Sequence, residues 1–347
     1  SAASDVYKRQ VFKEKLLDYM PDEFKEHRVV EHKVFKVNCE KDAINLLSGD
    51  GKSKYKGSPT IYVGEFYEMY KNRENLDYVM NCAAELMLDG YKNLPEAIKN
   101  KDIAVETFKD RVVVTLVNTA QNEEYLKNIP HRDYLDLSII YKAVISNDKS
   151  GMSSVVITND VASQMGMNEE QLYEVAMKNT PELLPVSIQD MQDAIGEMLL
   201  EEIAGDEYEE ERKEIDDTIS EVVDDNCQTK MYVMTNRRKI NGAAEILFPE
   251  NLDKLASILH SDIYIIPSSI HEVIAISSNG HSADELQEMV NDINMNQVDL
   301  EDRLSNEVYH YDRNKRELTI ATNAPNKRLD GKSVAESISY GIQDKSL

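Results

Sequence analysis

Apolar and polar positions alternate most clearly between Met231 and Ile276, and the pattern predicts a run of linked elements there. Met231 to Met234 reads as a strand. Asn241-Gly242 suits the positive φ angles of a tight turn, and Ala243 to Phe248 reads as the returning strand. Pro249 fits the first turn of a helix, where its missing N–H costs nothing, and Leu252, Leu255, Ile258 and Leu259 give that helix one apolar stripe. Two further strands are expected at Ile263 to Ile266 and Val273 to Ile276.

Upstream, helical spacing predicts helices over Val11 to Met20 and Asn75 to Leu88, with strands at His27 to Val37, Thr60 to Val63 and the β-branched Arg111 to Val117. Ser48 to Ser58 reads as a loop. Tyr134 to Ile145 and Ser153 to Ile157 form an expected hairpin, followed by helices capped by Asn159 and Asn168 and ended by Pro181 and Pro185. Ser282-Ala283-Asp284-Glu285 has the form of a capping box, and its helix would bury Leu286, Met289, Val290 and Ile293. Val308 to Tyr311 and Glu317 to Ala321 close the pattern as a hairpin.

These elements predict an α+β fold of two halves, each a mainly antiparallel sheet with a hairpin followed by a helix, packed by helices. Ile145 to Asp160 and Met234 to Asn251 share the order strand, turn with Gly, strand, capped helix, which suggests a duplication. Glu201 to Asp225 carries too few apolar residues to fold alone, so 201–229 is expected to be an acidic linker or solvated helix. The expected division is therefore 11–200, 230–322 and a polar, fraying tail at 323–347.

Composition narrows the function. A net charge of -25, from 39 Lys and Arg against 64 Asp and Glu, argues against broad nucleic-acid or anionic-membrane binding. Cys39, Cys82 and Cys227 form no C-x-x-C pair and fit a reducing cytoplasm. No apolar run reaches the roughly 20 residues of a membrane helix. The opening SAASDVYKRQ resembles a translated sequencing adapter, so residues 1–10 are left out of the fold reading and a signal peptide stays open.

No catalytic motif is complete. His131-Arg132-Asp133 lacks the kinase Asn five residues on, where Ser138 stands. Gly51-Lys52-Ser53 and Gly331-Lys332-Ser333 lack the earlier glycine of a phosphate loop, and His271-Glu272 has Ala275 where a zinc protease needs a second histidine. Ser268 and Ser269 stand beside His271 without a nucleophile elbow.

The densest polar cluster is His131, Arg132, Asp133 and Asp136. It reads either as a structural network at a strand end, with Arg132 paired to Asp133 or Asp136, or as an acid-base or metal-ligand set for hydrolysis. Arg237, Arg238 and Lys239, on the expected hairpin tip, are candidates to contact phosphate or a partner, as is Arg132. The expectation is a non-catalytic cytoplasmic binding or accessory protein with no cofactor, no assigned metal and an unidentified partner, for which a protein is the candidate. The alternatives are a metal-assisted hydrolase centred on His131, Asp133 and Asp136, helped by His271 and Glu272, and an acidic nucleic-acid mimic formed by the Glu201 to Asp225 run.

The segments YLKNIPHRDYLDLSIIYKAVI, LYEVAMKNTPELLPVSI, TNRRKINGAAEILFPENL and SDIYIIPSSIHEV resemble blocks of an uncharacterised bacterial family, domain of unknown function 5688, found mainly in gut anaerobes. The resemblance spans about Ser58 to Thr322. It implies no activity, cofactor or catalytic residue.

Overall fold

The computed structural model describes residues 10–48, 58–72, 75–99, 105–148, 151–203 and 230–331. The fold is α+β with antiparallel sheets. Two compact units divide between Val105 and Glu106, not in the acidic run.

In the first unit, residues 10–16 are helical and tighten into a 3-10 turn at Leu17–Tyr19. Strands β1 (His27–Lys36), β2 (Cys39–Ser48) and β3 (Ile61–Tyr62) form an antiparallel sheet in that order. Asn38, at φ 64°, turns β1 into β2, and the register then runs unbroken from Lys36↔Cys39 to His27↔Ser48. Opposed residues share a face. One face therefore carries Val29, Ile44, Leu46 and Ile61, and the other Arg28, Val30, His32, Val34, Lys36, Lys41 and Tyr62. Helices Val63–Lys71 and Leu76–Lys99 join the first helix over the apolar face. Phe12, Leu16, Phe24, Ile44, Phe66, Met80, Met87 and Tyr91 make this core, each large apolar side chain contributing roughly 1.5–3 kcal/mol.

The second unit has two sheets. In the first, β6 (Leu137–Asp148) pairs β4 (Val112–Asn118) along one edge, and β5 (His131–Tyr134) and β7 (Gly151–Val156) along the other. Every residue of β4 is buried, as its composition predicts, and Thr180 of helix Glu169–Leu183 accepts the Val114 N–H. In the second, β8 (Val186–Asp190), β9 (Met231–Asn236), β10 (Ile263–Ile266), β11 (Val273–Ser277), β12 (Tyr309–Asp312) and β13 (Glu317–Ile320) take the order β13-β12-β10-β11-β9-β8. Helix Ala283–Asn296 buries Leu286 and Val290 against Ile266 and Ile276, and helix Pro249–Leu259 also packs on this sheet.

Several expectations are corrected. Gly242–Leu247 is a buried 3-10 helix, so the strand Ala243 to Phe248 does not form. Asn241 does take a positive φ of 55°, yet Gly242 serves close approach: a Cβ there would stand 2.1 Å from Thr235 Oγ1 and 2.6 Å from the His271 carbonyl oxygen. The β6-β7 hairpin and helix Asn159–Met165 therefore have no counterpart after β9, and the duplication fails. The predicted boundary fails too, because β8 and β9, on either side of the acidic run, pair from Val186↔Asn236 to Asp190↔Tyr232. Residues 201–203 end helix Met191–Ile203, and 204–229 lie outside the described residues, as does Cys227.

Caps were partly legible. Asn168 forms a full capping box with Gln171, whereas the cap before Asn159 is Thr158, and Ser282 occupies its N-cap position without a side-chain bond. The expected tail starts too early: Ala324 and Leu329 are buried. The Leu329 N–H donates to Gln121, and the Leu329 carbonyl accepts from Arg303.

Candidate functional site

The hairpin between β5 and β6 is only two residues long, Leu135 and Asp136, and Leu135 takes a left-handed φ of 57°. That turn aims the Asp136 carboxylate toward the second sheet, where it accepts from Ser305 Oγ and from the Tyr309 hydroxyl. The Asp136 carbonyl also accepts the Thr119 N–H. Burial pushes the Asp136 carboxyl up, while the two hydroxyls pull it down. Tyr309 is fully buried and its hydroxyl is held well above its ordinary range by burial and by Asp136. Asn118 Nδ2, donating to the Leu304 carbonyl at 3.0 Å, adds a second link between the sheets.

Glu307 follows in the same seam and is 2% exposed. It accepts from Thr322 Oγ1, the Ala324 N–H and, at 2.7 Å, Lys327 Nζ. Glu123, Asp133, Asp136, Asn306, Glu307 and Lys327 line a cavity of about 350 Å3 here. Of the predicted cluster, only Asp133 and Asp136 come together. His131 lines a different cavity of about 440 Å3, with Asn159 and Glu169, and its Nδ1 donates to the Ile129 carbonyl at 2.7 Å. Among the described residues, no group of three or more His, Cys, Asp or Glu is placed to hold a metal ion.

Arg132 pairs with neither Asp133 nor Asp136. Its guanidinium grips Glu169 at 2.9 and 2.8 Å and Glu170 at 2.8 Å, and lies 3.7 Å from the Tyr173 ring centroid. Tyr141 donates to Glu169 as well. Burial raises the Glu169 carboxyl, but the bonds from Arg132 and Tyr141 overcome it and the group stays low. Both carboxylates sit in the first turn of helix Glu169–Leu183, where the helix dipole favours them.

His271 also serves the fold. Its Nδ1 accepts the Asn241 N–H, so the ring proton sits on Nε2 and donates to Asp302 Oδ1 at 3.2 Å. Ser269 accepts the His271 N–H, and Ser268 is buried with its carbonyl accepting the Leu304 N–H. Glu272 is half-buried on the way into β11. Arg237, Arg238 and Lys239 do not cap a hairpin but leave β9 in a turn organised by Asn236, whose Oδ1 accepts the Arg238 N–H. Arg237 is exposed, and Lys239 lies 3.7 Å from Glu197.

Sequence reasoning missed Ser305, Glu307, Tyr309 and Lys327, which no spacing marks. It also missed Glu245, buried in the 3-10 helix, where burial raises the carboxyl to about 8 against the Asn251 amide bond that lowers it.

The described chain is thus an α+β protein whose second unit joins two antiparallel sheets through the half-buried Asp136 carboxylate. A family model described as "Family of unknown function (DUF5688)" matches residues 7–313, and the chain belongs to that family. No curated protein and no solved structure matches it. No helix among the described residues is long and apolar enough to cross a membrane.

Proposed function

We propose that this chain is a non-catalytic binding or accessory protein that works in the cytoplasm. The observation that carries the reading is the bonding of Asp136. Its two carboxylate oxygens accept from Ser305 and Tyr309, so the best-placed acid in the cluster is spent on joining two sheets. A general base must reach a substrate proton, and a metal ligand must turn a lone pair to the ion. Arg132, His131 and His271 are engaged in the same inward way. Three widely separated cysteines with no C-x-x-C pair support a reducing compartment.

The test is incubation of the purified full chain with ester and phosphodiester substrates, with and without added zinc or manganese. No turnover is expected, and Asp136→Asn should change only the melting temperature. Metal-dependent turnover that disappears in Asp133→Ala or Asp136→Asn, with the fold retained, would replace this reading with the hydrolase.

A further inference from the structure

Among the described residues, the helices of the first unit pack on one face of its sheet, and one edge of that sheet has no partner strand. β1 is an edge strand of ten residues, and among the described residues nothing pairs its outer side. Its register with β2 has no bulge, so the edge is straight and long, a form that natural proteins usually blunt.

Along the open face, β1 presents Arg28, Val30, His32, Val34 and Lys36, with cationic or titratable and apolar residues in turn. Lys41 of β2 extends this face, and its Nζ and that of Lys36 lie 5.4 and 5.0 Å from the Tyr62 ring centroid. The carboxylates of the two strands, Glu31, Glu40 and Asp42, all point to the opposite face. There Lys13 takes Glu31, and Lys33 takes Glu40 at 2.7 Å. From a neighbouring helix, Glu65 lies 3.8 Å from Lys41. A chain of net charge -25 thus carries a strand face whose own residues include no acid.

We propose that β1 is a docking edge for an extended acidic segment of a partner protein, which adds as a further strand beside it. The inference rests on the reading of the chain as a binding protein and names its partner chemistry. Main-chain bonds to the free edge would supply affinity, and alternate side chains specificity. Carboxylates on the partner would meet Arg28, His32 and Lys36, and apolar residues would meet Val30 and Val34. Solvated edge charges alone would explain Arg28 and Lys36, but not the valines set between them or Phe35, which is 43% exposed on the other face. Nucleic acid fits less well, because the face offers one aromatic ring already flanked by two lysines and the whole chain repels phosphate.

The probe is a fluorescent nine-residue peptide with Asp at positions 1, 5 and 9, Val at 3 and 7 and Thr elsewhere, titrated against the full chain by anisotropy. Saturable binding is expected, at least tenfold weaker to Arg28→Glu/Lys36→Glu, with slowed hydrogen exchange of β1 amides in the complex. Both residues are exposed, and circular dichroism checks that the variant stays folded. No binding at millimolar peptide, equal binding of a scrambled peptide, or tighter binding of a single-stranded oligonucleotide would overturn the inference. Each of those results leaves the non-catalytic reading standing, which only Asp136-dependent turnover removes.

Discussion

The two units use polar residues in opposite ways. In the second unit, the half-buried Asp136 and the buried Glu307 turn their oxygens inward, to accept bonds from Ser305, Tyr309, Thr322 and Lys327. In the first, the core of Phe12, Leu16, Ile44, Met80 and Met87 is apolar, and charge stays on an open sheet face. A buried carboxylate without its donors costs several kcal/mol, so such groups fix one arrangement of two sheets. An exposed cation costs little and is available to a partner. The contrast predicts that substitutions in the seam change stability, whereas those on the β1 face change association.

The largest effect should come from Gly242→Ala. The added Cβ would meet Thr235 Oγ1 at 2.1 Å and the Asn236 backbone nitrogen at 2.7 Å, so the 3-10 helix must shift from β9. A loss of about 4 kcal/mol in urea unfolding of the second unit is expected. Asp136→Ala follows, at about 3 kcal/mol, because it strands the buried hydroxyls of Ser305 and Tyr309. Should Asp136→Ala unfold at the wild-type midpoint, the seam is not what holds the two sheets; the same result for Gly242→Ala would mean that the 3-10 helix can shift without loss.

Glu245→Gln sharpens the comparison in the other direction. The folded Glu245 carboxyl titrates at about 8, above its ordinary 4.5, so the native state keeps a proton that the unfolded state releases. Its contribution therefore favours folding least at high pH: stability declines as pH rises from about 4.5 and levels off above about 8. Gln keeps an oxygen for Asn251 and has no proton to lose. The variant should gain about 3 kcal/mol at pH 7 and show a flatter stability profile between pH 5 and 8. A profile parallel to wild type would mean that Glu245 is charged in the fold.

The smallest effect is expected on the open face. Arg28→Glu/Lys36→Glu should alter unfolding by less than about 0.5 kcal/mol, since exposed charges contribute little. A loss above about 1.5 kcal/mol in the same melt would show that this face is structural, like the seam.

Much of the fold was legible because its causes are local. Period-two and unbroken apolar runs place β4, β6, β10 and β11 within a few residues, and Pro249 and Asn168 mark their helix starts. β2 was missed because Ala43, Ile44, Leu46 and Leu47 do not alternate, and β8 because it is five residues between a proline and a helix. Of the candidate site, the sequence marked Asp133 and Asp136 but not the Glu307 and Lys327 that share their cavity, nor the Glu169 that claims Arg132.

By itself, then, the sequence determined the element types, the α+β class and the acidic balance, since these follow from backbone preference, periodicity and counted charge. Tertiary structure decided the rest. Gly242 lies against Thr235 and His271, which leaves room for a 3-10 helix and none for the expected strand. β8 and β9 pair across 40 intervening residues, from Met191 to Lys230, because a sheet edge rewards pairing at any sequence distance once the loop entropy, which grows slowly with length, is met. The open β1 edge is likewise a fact of topology: a strand's residues do not say which of its two sides another strand will take.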